Sequence, residues 1–282
     1  MKRICFLLCF LISKNTDSQA YLHEDVNNDS ISSFIIYHKN ENNEKPIGKL
    51  IIMKANKFKV NYAVNVSCHK FIDADIVTNG PFFEDFFNRR IASGLSMCTG
   101  VVENKNVSPE MDAISLIDSL GNLSIYDISA INIPGDKLDM YNPIDRYQFI
   151  ALAKRQKIST FQSHLLINNN KITFYKESSN QCISSRKLLA VLKDDHGVKF
   201  YALIFLPEIR LTLYDASEIA QYLMSNIGYT VDKLIDLDTG ASDYLRVSNE
   251  YRGSHSHLCR GKSNNYVDGN QRLLSFYRLT VL

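Results

Sequence analysis

From Ile47 onward the sequence breaks into short β-prone runs punctuated by turn residues. The runs 113–118 and 123–127 flank Ser119-Leu120-Gly121-Asn122, and 161–167 and 171–175 flank Asn168-Asn169-Asn170. Likewise 187–193 and 198–206 flank Asp194-Asp195-His196-Gly197. Runs of this length joined by short polar turns are hairpins, and hairpins build antiparallel sheets. The runs 49–53, 58–66 and 71–78 supply further strands, and 234–237 supplies another that ends at Asp238. Two segments carry helical spacing instead. The first, 146–155, follows Asn142-Pro143; the second, 214–226, aligns Ile219, Ala220, Leu223 and Ile227 before a stop at Gly228. The expectation is an α+β fold, a mainly antiparallel sheet with a few packed helices, in a single domain over 46–282. Residues 21–45 are polar and read as a loose N-terminal segment with one strand at 33–38.

Met1-Lys2-Arg3 precedes an apolar run over 4–12, and a polar stretch then ends in Ser18-Gln19-Ala20. That is the pattern of a secretory signal peptide over 1–20. The run is about half the length of a membrane-crossing helix, and nothing later approaches that length. The expected location is therefore secreted or periplasmic after cleavage, with no membrane span. Asn28, Asn65, Asn106 and Asn122 each begin an N-x-Ser acceptor pattern, which matters only in a host that glycosylates exported proteins.

Charge narrows the partners. Of 32 basic and 30 acidic residues, the leader holds Lys2, Arg3, Lys14 and Asp17, so the remainder is neutral. A neutral chain offers no general electrostatic attraction to nucleic acid, and none is expected as a partner. Residues 244–282 are locally basic, as a solvated face often is. Cys5 and Cys9 leave with the leader, while Cys68, Cys98, Cys182 and Cys259 remain for two disulfides in any of three pairings. No paired C-x-x-C spacing exists, and His255, His257 and Cys259 sit in a Gly- and Ser-rich stretch without an evident fourth ligand. No metal and no cofactor are expected.

Four places join turn residues to side chains suited to a polar site. They are Thr78-Asn79-Gly80-Pro81-Phe82-Phe83-Glu84-Asp85, Phe161-Gln162-Ser163-His164, Ser184-Ser185-Arg186, and Asp236-Leu237-Asp238-Thr239-Gly240-Ala241-Ser242-Asp243. An Arg fork beside hydroxyls suits phosphate or carboxylate, and a carboxylate at a strand end before a Gly turn suits acid–base chemistry. The string Asp238-Thr239-Gly240-Ala241-Ser242 also occurs at the active site of aspartic proteases. One copy would require a symmetric dimer, and too few residues follow it to finish such a domain.

In this order the four motifs resemble the phosphodiester glycosidase family, whose mammalian member is the lysosomal uncovering enzyme and whose bacterial members are exported. That family shows Asn-Gly-Gly-Phe-Phe, then Gln-Ser-Gly-Pro, an Arg before a strand, a Leu-Thr-Leu helix and Leu-Asp-Gly-Gly-x-Ser. The counterparts are Asn79-Gly80-Pro81-Phe82-Phe83, Gln162-Ser163-His164-Leu165, Arg186, Leu211-Thr212-Leu213 and Leu237-Asp238-Thr239-Gly240-Ala241-Ser242. Pro81, His164 and Thr239 stand where the family has glycine. The resemblance implies a hydrolase of sugar-1-phosphodiesters, with a glycan or sugar-phosphate substrate. It implies Arg186 on the phosphate, helped by Ser163 and the Asn79-Gly80 turn. Asp238 would be base or nucleophile, Glu84 a second carboxylate, and Gln162 the residue orienting sugar hydroxyls. Gly240 and Ser242 would complete the substrate-binding turn. A noncatalytic glycan- or phosphate-binding protein on the same fold is the alternative.

Overall fold

The computed structural model describes residues 19–40, 43–66, 71, 73–86, 89–133, 136–175, 183–239, 244–253 and 271–279. Three long strands come first, β1 (Gln19–Asn27), β2 (Ile31–Asn40) and β3 (Asn43–Lys54), and a 3-10 turn at Ala55–Lys57 leads into β4 (Phe58–Val66). Short strands follow: β5 (Ile76–Asn79), β6 (Phe83–Phe86), β7 (Arg89–Ala92), β8 (Ser96–Cys98) and β9 (Val101–Asn104). Two hairpins come next, β10 (Ala113–Ile117) with β11 (Leu123–Asp127), and β12 (Ile131–Ile133) with β13 (Asp136–Leu138). Helix α1 (Pro143–Gln156) precedes β14 (Ser159–Ser163), β15 (Leu165–Asn168) and β16 (Lys171–Ile172). The long hairpin β17 (Ser184–Lys193) and β18 (Lys199–Leu211) runs into helix α2 (Leu213–Asn226). Strands β19 (Thr230–Leu237) and β20 (Leu245–Val247), the one-turn helix α3 (Asn249–Arg252) and β21 (Gln271–Arg278) close the described chain.

An eight-stranded sheet runs β1-β2-β3-β18-β17-β19-β15-β16, a five-stranded sheet β11-β10-β14-β8-β9, and a four-stranded sheet β20-β5-β21-β4. Two-stranded ribbons β6-β7 and β12-β13 complete the set, and every pairing among the described residues is antiparallel. The expected α+β class is thereby corrected. This is a sheet-dominated, mainly β fold, in which two three- to four-turn helices cover sheet faces and form no layer of their own. The error came from treating stretches of short strands as connecting loops. Residues 21–45, expected to be loose, form β1, β2 and the start of β3 within the large sheet.

Burial explains the long apolar runs. On β17, Leu189 and Val191 join a core shared with Phe58, Tyr62 and Leu274 of the four-stranded sheet and Ala113 and Phe161 of the five-stranded one. Alternate residues Leu188, Ala190 and Leu192 face the opposite core, where α2 lays down Ala216, Ile219, Ala220 and Leu223. A strand covered on both faces has no polar side, so its sequence reads as a continuous hydrophobic run. Helix α1 packs Phe149 and Ala153 on Leu95, Met97 and Ile114, the other face of the five-stranded sheet. Helix α2 starts where Thr212 Oγ1 accepts the Asp215 N–H at 3.0 Å, and Gly228 at φ +83° follows its end. Among the described residues no helix is long and apolar enough to cross a membrane. Residues 1–18 of the expected signal peptide lie outside them, and Gln19 and Ala20 begin β1.

Candidate functional site

Three strand ends meet where the motifs fall. Strand β5 ends at Asn79, and the Gly80 carbonyl just beyond accepts the N–H of Asp238, just past β19, at 3.1 Å. The Gly80 N–H in turn donates to the Arg272 carbonyl on β21 at 2.9 Å. Strand β17 pairs with β19 in the register Lys187↔Leu237 and Leu188↔Asp236, which carries Arg186 to the same end of the sheet. Backbone pairing therefore brings together three motifs separated by more than 150 residues of chain.

Arg186 is buried, its Nη1 donating to Asp236 Oδ2 at 3.0 Å and its Nε to the Leu211 carbonyl at 3.0 Å. Asp238 is also largely buried, at 8% exposure. Burial, the largest influence, pushes the Asp236 carboxyl up to about 7 even though Arg186 pulls the other way, and the Asp238 charge adds to the rise. Its Oδ1 is buried with no hydrogen-bond partner among the described residues.

Lys187 points to the opposite face of β17 from Arg186 and is 1% exposed. Its ammonium donates to Tyr244 O at 3.0 Å, Asn79 Oδ1 at 3.3 Å and Asp238 O at 3.5 Å. It therefore ties the β5 turn to the β19 turn. Sequence reasoning passed over Lys187 and gave Asp236 no role. The available signal was a charge inside an otherwise apolar strand run, and an aspartate two residues before Asp238 on a strand of period two.

The second motif marks a change of sheet. One strand was expected over 161–167; β14 instead belongs to the five-stranded sheet and β15 to the eight-stranded one, with His164 between them. Gln162 is 1% exposed, and its amide is committed to backbone. It accepts from Leu95 N and Ser108 N at 3.0 Å each, and donates to Ser108 O at 2.7 Å and Met111 O at 2.6 Å. Gly94, at φ +111°, gives it room: a Cβ there would lie 2.4 Å from Gln162 Oε1. Ser163 donates its hydroxyl to the Asp236 carbonyl, which holds β14 against β19.

The residues replacing glycine fit without backbone strain. Pro81, His164 and Thr239 are not among the residues at positive φ. Thr239 Oγ1 donates to Ser185 O at 2.9 Å, latching the β19 turn onto β17. His164 sits edge-on to Phe82 at 5.7 Å and to Phe174 at 6.3 Å. Burial lowers its pKa while Asp112 opposes that shift; Asp112, itself pushed up by burial, accepts the Leu165 N–H at 2.6 Å.

Gly80 and Asp238 thus meet directly, Asn79 and Asp238 through Lys187, and Arg186 and Ser163 through Asp236, while the hydrogen bonds of Gln162 go to Leu95, Ser108 and Met111. Glu84 lies on β6, but its side chain, together with Gly240 and Ser242, lies outside the described residues. So do Cys68, Cys182, Cys259, His255 and His257. Cys98 is a free thiol whose sulfur donates to Tyr62 O, so the expected pair of disulfides is not made. A cavity of about 270 Å³ lined by Lys59, Asn61, Thr99, Lys157 and Tyr277 contains none of the motif residues.

No protein-family model and no curated protein matches this sequence. A likeness of fold to a solved structure does exist. The catalytic domain of zebrafish N-acetylglucosamine-1-phosphodiester alpha-N-acetylglucosaminidase, auto-inhibited by its pro-peptide, aligns with a TM-score of 0.52 and 13% identity, over 93% of this chain and 88% of that one. A hypothetical protein from Synechocystis aligns with a TM-score of 0.47 and 9% identity, over 93% of this chain and 68% of that one. The likeness to the zebrafish domain is one of fold.

Proposed function

We propose that this protein is an exported hydrolase that cleaves a sugar-1-phosphodiester at the anomeric C–O bond. The observation that carries the reading is the meeting of Asn79-Gly80 and Asp238, held by the Asp238 N–H to Gly80 contact of 3.1 Å and by Lys187, at the sheet end where β17 begins with Arg186. The fold likeness to a phosphodiester glycosidase domain supports it, and the leader motif supports export. In this reading the Arg186 guanidinium holds the phosphodiester beside the Asn79-Gly80 turn. Asp238 acts as base or nucleophile at the anomeric carbon, with Glu84 as the second carboxylate and Gly240 and Ser242 closing the turn around the substrate. With Asp238 as base, water's oxygen bonds to the anomeric carbon and its proton passes to the carboxylate. The bridging oxygen leaves with the bonding electron pair as a phosphate monoester, and the other product is the free sugar. Such a leaving group is already weakly basic, so the site needs charge stabilisation more than a strong general acid.

In this reading Gln162 and Ser163 take a positioning part in place of the substrate-binding part that the resemblance implies. Their polar atoms bond to backbone, so they position the sheet ends and leave the sugar to other groups. That same commitment favours the second reading, a binding protein that keeps the pocket without turnover. Release of free sugar from a panel of sugar-1-phosphodiesters, nucleotide sugars included, separates the two. The enzyme reading predicts turnover by the wild type and a loss of about 10³-fold in Asp238→Asn. No turnover, with a ligand bound equally by both proteins, establishes the binder.

A further inference from the structure

Of the three residues standing in place of glycine, His164 alone adds an aromatic ring, and its backbone is clamped on both sides. Its carbonyl accepts the Asp236 N–H at 3.3 Å, Ser163 before it donates to the Asp236 carbonyl, and Asp112 takes the Leu165 N–H after it at 2.6 Å. The ring is thereby held beside the strand that leads to Asp238. It stands edge-on to Phe82 at 5.7 Å and to Phe174 at 6.3 Å, separations typical of favourable aromatic packing. Phe82 lies two residues past Gly80, whose carbonyl takes the Asp238 N–H. Phe174 packs on the core of Leu188 and Leu206, and Leu188 shares a face of β17 with Arg186. Three rings from three segments thus form one aromatic strip that begins at the site, and each is only partly buried.

The two faces of β17 divide the site. Lys187 gathers Asn79 Oδ1 and the Asp238 and Tyr244 carbonyls on one face, while Arg186 bonds Asp236 and the Leu211 carbonyl on the other. The strip lies on the Arg186 face, and Arg186 is among the charges acting on the His164 ring. Burial lowers the His164 pKa against the pull of Asp112 and of a hydrogen bond to the Glu110 backbone, so near neutrality the imidazole presents a flat, uncharged face. Ligand pockets are lined in this way, by apolar and aromatic surface with a few polar groups that fix orientation. We propose that Phe82, His164 and Phe174 form a subsite for an aromatic ring on the leaving side of the phosphodiester, so that the substrate is an aryl or nucleoside ester of a sugar phosphate. The inference rests on the reading of Arg186 as the phosphate-holding group and of Asp238 as the group facing the anomeric carbon. With the sugar at Asp238 and the phosphate at Arg186, the group beyond the phosphate is the one that meets the strip. An alkyl group there gains from burial alone, whereas an aromatic ring adds edge-to-face contacts.

Two matched pairs of phosphodiesters test it by binding to the intact protein, with dimethyl phosphate as the reference. One pair is methyl phenyl phosphate against methyl cyclohexyl phosphate; the other is the methyl ester of uridine 5′-phosphate against that of ribose 5-phosphate. All are monoanions at neutral pH, so charge cancels within each pair. The expected result is affinity about fivefold tighter for the aromatic member of one pair. Which pair shows it says whether the ring belongs to an aryl ester or to a nucleoside. The NMR signals of the His164 and Phe174 rings should shift with that member and not with its partner. His164→Gly and Phe174→Leu should abolish the preference, and His164→Phe should keep it. Equal affinities within both pairs, with dimethyl phosphate bound, overturn the subsite and leave the phosphate reading standing. A preference that survives both His164→Gly and Phe174→Leu, or that moves neither ring signal, places the aromatic group elsewhere and also overturns it. Binding of none of the probes overturns the phosphate role of Arg186, and the subsite with it. Should a variant not fold, the wild-type affinities and ring shifts decide the matter.

Discussion

Gln162 makes no hydrogen bond to another side chain among its described contacts; its amide bonds to Leu95, Ser108 and Met111 backbone in a buried setting. Replacing it by Leu leaves those backbone groups without partners, a loss of about 3 kcal/mol in the free energy of unfolding measured by urea denaturation. A change under 0.5 kcal/mol would mean that the bracket is dispensable. Asp236 gives a pH-dependent prediction. Its folded value of about 7 lies above the roughly 3.9 of an unfolded aspartate, so the native state binds the extra proton between the two. Its contribution to stability is therefore present at low pH and lost as pH rises through 7. Relative to wild type, Asp236→Asn should gain about 3 kcal/mol of stability between pH 5 and pH 8. His164, lowered by burial, acts with the opposite sign and cancels in that difference; parallel stability curves would sink the assignment. That Asp238, Arg186 and Asn79 fall at strand ends was legible from the turn residues beside them. Lys187 and Asp236 were not, because a charge inside an apolar run has meaning only once its partner across the sheet is known.

At the scale of elements, the hairpin of β10 and β11 was readable to within a residue because its turn is polar and its strands apolar. The pairing of β17 with β18 was readable for the same reason. Helix α2 followed from its spacing and its Gly228 stop, and the structure adds the Thr212 cap. Thr212→Ala should cost about 1 kcal/mol of stability, with an unchanged dependence on denaturant. The β1–β2–β3 meander was hidden by its composition: an edge strand with a solvated face needs few apolar residues, so its sequence resembles a loop. The change of sheet at His164 was equally hidden, since β14 and β15 are both buried and read as one run. Gly48 marks another constraint visible only in three dimensions. A Cβ there would lie 2.3 Å from the Phe205 carbonyl oxygen, so Gly48→Ala should separate β3 from β18 and cost about 3 kcal/mol in thermal or denaturant unfolding. A neutral result would place the two strands further apart than described.

For the molecule as a whole, the eight-stranded and four-stranded sheets matter most where their strand ends meet. Leu237 and Leu274 lie in one core, and at its margin the ends of β5, β17 and β19 set Asn79, Arg186 and Asp238 around one place. Each of the three strands is held by pairing on both sides, which fixes the site more firmly than loops alone would. The central claim is that this place breaks the anomeric C–O bond of a phosphodiester, and the origin of the transferred oxygen tests it most directly. Turnover in oxygen-18 water, followed by phosphorus-31 NMR of the phosphate and mass spectrometry of the sugar, reads which product takes up the label. The account predicts label in the free sugar and none in the phosphate monoester. Label in the phosphate, and so cleavage at phosphorus, would contradict it.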